Sequence, residues 1–136
     1  MLPTQLFAFG FGYVATDLAR LLRSDGVSAS GTVRSAASAA PLSSQGWASS
    51  LWPGPDPAPS EGAAWLISIP PDEAGCPVFR GFEDRSASAS WIGYLSTTGV
   101  YGDLSGRWAF EETPLSPQSR EAINRARAEE QWLNAG

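Results

Sequence analysis

The chain has 136 residues, enough for one domain with a real core. A formal net charge of −5 argues against a nucleic-acid partner, which would need clustered cations. One cysteine (Cys76) and no histidine exclude an intramolecular disulfide and leave no donor set for zinc, so no metal is expected.

The longest apolar run, Ala63–Pro70, is too short to span a bilayer, and no basic stretch precedes the first apolar residues. A soluble, cytoplasmic protein with small-molecule partners and no membrane partner is the expectation.

In chain order, Gln5–Phe9 ("QLFAF") reads as a short buried strand ended by Gly10. Tyr13–Ser24 follows as a helix, with Val14, Leu18, Leu21 and Leu22 spaced as one face and Asp25-Gly26 as its stop. Val27–Arg34 returns as a second strand, which completes a unit of about 30 residues, the length of one βαβ motif. Gly46–Leu51 carries a short edge strand preceded by a poor helix, and the Ser/Pro-rich segment around 52–62 reads as an irregular loop. Ala63–Ile69 is a buried strand stopped by Pro70-Pro71, Cys76–Arg85 a helix of modest quality, and Trp91–Thr97 a fifth strand. Trp65 and Trp91, in or beside the buried strands, are assigned to the core. The last element is a helix over Ser116–Asn134, with Ser116 as cap, Pro117 in the first turn, a Glu121–Arg125 pair and Gly136 near its end. Strands alternating with helices predict one α/β domain over residues 1–136. Its architecture is a Rossmann-type, doubly wound parallel sheet of about five strands in the order 3-2-1-4-5.

The stretch Gly10-Phe11-Gly12-Tyr13-Val14-Ala15 matches G-x-G-x-x-G/A. Alone, two glycines can merely punctuate an apolar segment. Here they follow a predicted strand, open a predicted helix and precede another strand. In that setting Gly10 permits the tight turn, Gly12 lets the backbone approach a pyrophosphate, and Ala15 keeps the helix close to the sheet. An acidic residue about 20 positions on would choose NAD by binding its ribose hydroxyl. The chain instead has Thr32-Val33-Arg34-Ser35 there. Arg34 can pair with the 2′-phosphate of NADP, with Thr32 and Ser35 as hydrogen-bonding neighbours, so NADP is preferred and NAD remains an option.

The segments "FGFGYVATDLARLL", "GTVR", "WLISIPP", "WIGYLSTTGVYGD" and "EETPLSP" together resemble the extended, atypical short-chain dehydrogenase/reductase superfamily. Within it they are most similar to the NAD-dependent epimerase/dehydratase branch, whose members are often described as nucleoside-diphosphate-sugar epimerase-like. The resemblance implies a hydroxyl after the fifth strand that hydrogen-bonds the reacting oxygen of the substrate, which matches Thr97, with Ser96 and Thr98 beside it. It also implies that Ser68-Ile69-Pro70 lines the ribose and nicotinamide side of the cofactor. The activity implied is a reductase or epimerase acting on a nucleotide sugar or another hydroxy/carbonyl substrate.

Two features depart from that pattern. The family's acid/base pair, Tyr-x-x-x-Lys, cannot exist in a chain without lysine, and Tyr13, Tyr94 and Tyr101 all lie outside the last helix. The expected pair falls near Glu121 or Ala122 and Arg125 or Ala126. Family members also continue into further strands and a C-terminal substrate region. The sequence therefore reads as a truncated member whose fifth strand is an open edge suited to homodimerisation. A non-catalytic NADP-binding or sensor module, or an inactive truncated member, is the alternative reading.

Overall fold

The computed structural model describes residues 2–54 and 59–135. Residues 55–58 of the expected irregular loop, and Gly136, lie outside the described residues. Five strands, β1 (Gln5–Phe9), β2 (Ser28–Val33), β3 (Ala48–Leu51), β4 (Ala64–Ile67) and β5 (Trp91–Tyr94), form one all-parallel sheet in the order β3-β2-β1-β4-β5. This is the predicted class and strand order. The helices are α1 (Tyr13–Arg23), α2 (Ala36–Ser44), α3 (Pro77–Phe82) and α4 (Arg120–Ala135). Among the described residues, none of them is long and apolar enough to cross a membrane.

The chain divides into two compact units. The first, Met1–Ser68 with Arg85–Tyr94, holds the sheet, α1 and α2. Its core is centred on β1 and β4, where Leu6–Phe9 and Ala64–Ile67 are buried without alternation, as the inner strands of a parallel sheet require. Phe9 meets Phe7 edge-on at 4.8 Å and Trp65 at 5.4 Å. Each such fully buried aromatic contributes about 2–3 kcal/mol through removal of apolar surface from water.

The helix α1 turns differently from expectation. Ala15 and Ala19 are buried while Val14 and Leu21 are exposed, so the inward stripe runs along Ala15, Leu18, Ala19 and Leu22. The small alanines allow the helix backbone to approach the sheet closely, and this outweighs the larger apolar side chains. Pro41 inside α2 explains that helix's predicted poor quality, since it removes one backbone donor.

Trp91, assigned to the core, is 54% exposed. It opens the edge strand β5, and its indole lies across Gly93, two residues along the same strand face.

The second unit, Ile69–Asp84 with Leu95–Gly136, holds α3, a 3-10 turn over Thr98–Tyr101, and α4. Here the expected helix start at Ser116 moves to Arg120. Ser116 precedes a proline, which disfavours helical backbone, and its N–H donates to Val100 O at 2.8 Å. Ser119 takes the capping role, accepting the Ala122 N–H at 3.0 Å. One face of α4 then fixes the loop after Pro71. Gln131 accepts the Cys76 N–H at 2.8 Å and donates to Ala74 O at 3.1 Å, while Arg127, one turn earlier, donates to Glu73 O.

Candidate functional site

Parallel register decides what surrounds the end of β1. Ala8 pairs with Gly31 on one side, and Phe9 pairs with Ile67 on the other. Continued by one residue, the register sets Ser68 level with Gly10 and Thr32 level with Phe9, from where the Thr32 hydroxyl reaches the Gly10 amide. Gly10 has φ +92°, a conformation that only glycine adopts without strain. Gly31 is required for a different reason. A Cβ there would lie 2.3 Å from Ala8 O and 3.0 Å from the ring of Phe11. That ring turns inward and packs 5.5 Å from Trp47, which also carries Arg23 over its face at 4.5 Å.

The polar groups of the glycine loop are nearly all occupied within the protein. Gly10 N–H donates to Thr32 Oγ1 at 2.9 Å, and Gly10 O accepts from Ser68 Oγ at 2.8 Å and from Gly12 N–H at 2.9 Å. Phe11 N–H donates to Thr32 O at 2.7 Å. Gly12 O accepts from both the amide and the hydroxyl of Thr16, at 2.9 and 2.7 Å. The amides left over are those of the first helical turn, on Tyr13, Val14 and Ala15. They have no partner one turn back, and Gly12 offers no side chain to cap them. No acidic residue lies in that turn, so the partial positive charge of the helix end is not neutralised locally. A Cβ placed on Gly12 would meet nothing within 4 Å, so the space beside these amides is open. Tyr13 and Val14 extend into solvent, 85% and 52% exposed.

Arg34 follows β2 directly and is exposed; among the described residues it makes no ion pair. Ser35 beside it caps α2, accepting the Ser38 N–H at 3.3 Å, and the first turn of α2 also lacks acidic residues. The structure thus brings Gly10, Phe11, Gly12, Tyr13, Val14, Thr32 and Ser68 together, with Arg34 and Ser35 one and two residues beyond β2. Thr32 is 3% exposed, and its hydroxyl faces the glycine loop. Sequence reasoning assigned Thr32 and Ser68 to ligand contact and did not foresee their bonds to Gly10. The available signal was a hydroxyl side chain at the carboxyl end of each strand flanking the loop.

Ile69, Pro70, Ser96 and Thr97 belong to the second unit. Ile69 is half-buried, while Pro70 and Ser96 are exposed. Thr97 is exposed with extended backbone, and its Oγ1 accepts the Gly99 N–H at 3.3 Å to start the 3-10 turn. On α4, Glu121 is exposed and Ala122 buried. Arg125 does not pair with Glu121 as expected; its Nη1 donates to Leu95 O at 2.7 Å, pinning the backbone that follows β5. The carboxylate of Asp72 is the one whose acidity shifts clearly among the described residues. A hydrogen bond from Arg80, at 2.5 and 2.9 Å to its two oxygens, holds it below the usual carboxylate value.

Neither a protein-family model nor a curated protein sequence matches the chain. Solved structures do. A functionally unknown conserved protein from Silicibacter pomeroyi DSS is 38% identical with a TM-score of 0.88, over 97% of this chain and 49% of that one. A short-chain dehydrogenase/reductase superfamily protein from Agrobacterium tumefaciens with bound NAD is 18% identical with a TM-score of 0.61, over 94% of this chain and 44% of that one. A point mutant of UDP-glucuronic acid 4-epimerase from Bacillus cereus, in complex with UDP-4-deoxy-4-fluoro-glucuronic acid and NAD, is 14% identical with a TM-score of 0.66. That match covers 96% of this chain and 52% of the epimerase. The chain spans about half the length of these structures, and the fold it shares with them is a Rossmann-type α/β fold.

Proposed function

We propose that the first unit binds a nicotinamide dinucleotide, with its pyrophosphate at the amides of Tyr13, Val14 and Ala15. We further propose that the chain is part of a reductase- or epimerase-like member of the short-chain dehydrogenase/reductase superfamily. One observation carries the reading: the glycine loop occupies its own polar groups and leaves the first-turn amides of α1 beside open space, with no acid or cap to compete for them. That arrangement suits a multiply charged anion. Arg34, unpaired among the described residues and adjacent to the capped start of α2, supports NADP over NAD. A guanidinium can bind the 2′-phosphate with two parallel hydrogen bonds. The relatives in complex with NAD support the cofactor class, and the nucleotide sugar bound by one of them supports a hydroxy/carbonyl substrate. On the resemblance, Thr97 would hydrogen-bond the reacting oxygen of that substrate.

A second reading, dinucleotide binding without turnover, is favoured by the side chains of α4. Where the family's tyrosine and lysine are expected, the helix carries Glu121 or Ala122 and an Arg125 already bonded to Leu95 O. Arginine stays protonated and cannot shuttle protons.

The test is titration of the purified chain with NADPH and NADH, followed by tryptophan quenching. Saturable binding with NADPH the tighter ligand is the expected result. Arg34→Ala should weaken NADPH by about 10- to 100-fold, the value of charge-assisted bonds to a phosphate, and leave NADH nearly unchanged. Equal weakening of both ligands would remove the NADP assignment. Steady-state oxidation of NADPH with any carbonyl substrate would remove the non-catalytic reading.

A further inference from the structure

We propose that Thr32 and Ser68 are positioning residues for the cofactor, holding Gly10 from both sides and so aiming the free amides of α1; this rests on the dinucleotide reading above. Thr32 is the one buried polar residue among the described residues with less than a tenth of its surface exposed. Its place one residue before the end of the inner strand β2 would suit valine, which packs as well and carries no hydroxyl to desolvate. The hydroxyl is kept where it does one thing: it accepts the Gly10 N–H at 2.9 Å. Ser68 directly follows β4, on the other side of Gly10. Its N–H continues the ladder to Phe9 O at 3.0 Å, and its hydroxyl reaches past the strand to Gly10 O at 2.8 Å.

The two hydroxyls thus grip opposite polar groups of one glycine. Gly10 is the residue whose φ of +92° turns the chain from β1 towards α1, and an unconstrained glycine samples many conformations. Between Gly10 and the helix lie only Phe11 and Gly12. Phe11 is fixed by its N–H to Thr32 O and by its buried ring, and Gly12 is tied back to Gly10 O. Release of Gly10 would let the first turn of α1 change its approach angle while the strands stay paired. A residue that only completes the strand would influence melting; a positioning residue also influences the order of the loop and the affinity for the anion.

The experiment compares Thr32→Val, Thr32→Ser and Ser68→Ala with the parent chain by amide hydrogen exchange at Gly10, and by NADPH titration. In Thr32→Val the Gly10 amide should exchange about tenfold faster, with β1 and β4 amides unchanged, and Thr32→Ser should restore its protection. NADPH should bind about five- to tenfold more weakly to Thr32→Val and to Ser68→Ala, with near-parent affinity in Thr32→Ser. Unchanged Gly10 exchange in Thr32→Val overturns the proposal, as does an affinity loss that Thr32→Ser fails to recover. If Thr32→Val melts before it can be measured, Ser68→Ala decides: parent-like affinity for NADPH overturns the proposal. Failure of the parent chain to bind either nucleotide would sink the functional reading, and Gly10 exchange alone would then decide whether the two hydroxyls hold the loop.

Discussion

The sharpest separation of folding from binding is available at Gly12. Its φ of −100° is negative, outside the left-handed region that favours glycine, and a Cβ there would meet nothing within 4 Å. Two small effects on stability oppose each other. Alanine restricts the unfolded chain, stabilising by about 0.4–1 kcal/mol. It is also a poorer helix cap than glycine, by up to about 1 kcal/mol. The net change should stay within about 1 kcal/mol, or roughly 4 °C in melting temperature for a chain of this size. Binding should respond very differently, because the added methyl occupies the space beside the three free amides where the pyrophosphate is proposed to sit. Loss of two of those charge-assisted bonds, at about 1.5 kcal/mol each, weakens the dinucleotide by roughly 100-fold. The assays are a thermal melt by circular dichroism and NADPH titration on the same sample. A Gly12→Ala chain that melts normally and binds NADPH as the parent does would refute the placement of the anion. A fall of more than about 10 °C would refute the statement that the space is empty.

The contrasting substitution is Gly31→Ala, in which the new Cβ would lie 2.3 Å from the backbone oxygen of Ala8. Backbone cannot swing aside as a side-chain tip does, so β1 and β2 must separate, at a cost of about 3 kcal/mol measured by urea denaturation. A loss under about 1 kcal/mol would mean the strands approach less closely than described. At Asp72 the prediction concerns pH. Its folded-state pKa is depressed by Arg80, so its contribution is present above the ordinary carboxylate value and is lost as pH falls through the lowered one. The melting-temperature gap between the parent and Asp72→Asn should therefore close as pH drops below about 4. Both side chains of the pair are near half exposed, so the gap should be small and shrink in high salt; a gap constant down to pH 2.5 would contradict the assignment.

The sheet was readable because its inner strands are nearly pure apolar runs bounded by glycine and proline. "FAF" and "AWLI" admit little else once helical patterns of the right length separate them. Errors arose where tertiary contact overrides local preference. Trp91 suggested burial by its size, yet it opens an edge strand, where its indole lies across Gly93 and stays half exposed. Ser116-Pro117 looked like a helix start, but the Ser116 amide bonds Val100 O, a partner 16 positions away that no local pattern announces. Val14 and Leu21 satisfied the helical spacing, while the chain buries two alanines because closeness to the sheet matters more there than side-chain size.

The site divides along the same line. The glycines, the absence of an acid after β2, and Arg34 are visible in the sequence because the role proposed for each rests on its own backbone or charge. Thr32 and Ser68 are different, since a threonine after "SG" and a serine after "WLI" carry no meaning until the register sets them beside Gly10. The order of the sheet is what joins them: β1 lies between β2 and β4, so the residue that follows β1 has residues from the carboxyl ends of both neighbours beside it. A polar grip on that residue needs a hydroxyl at both ends, one accepting an N–H and one donating to a carbonyl, and serine and threonine can each do either. An alanine or valine at either position would leave the strands paired and the glycine unheld. Sequence comparison that weighs only the glycine motif would then score a loosened loop and an ordered one alike.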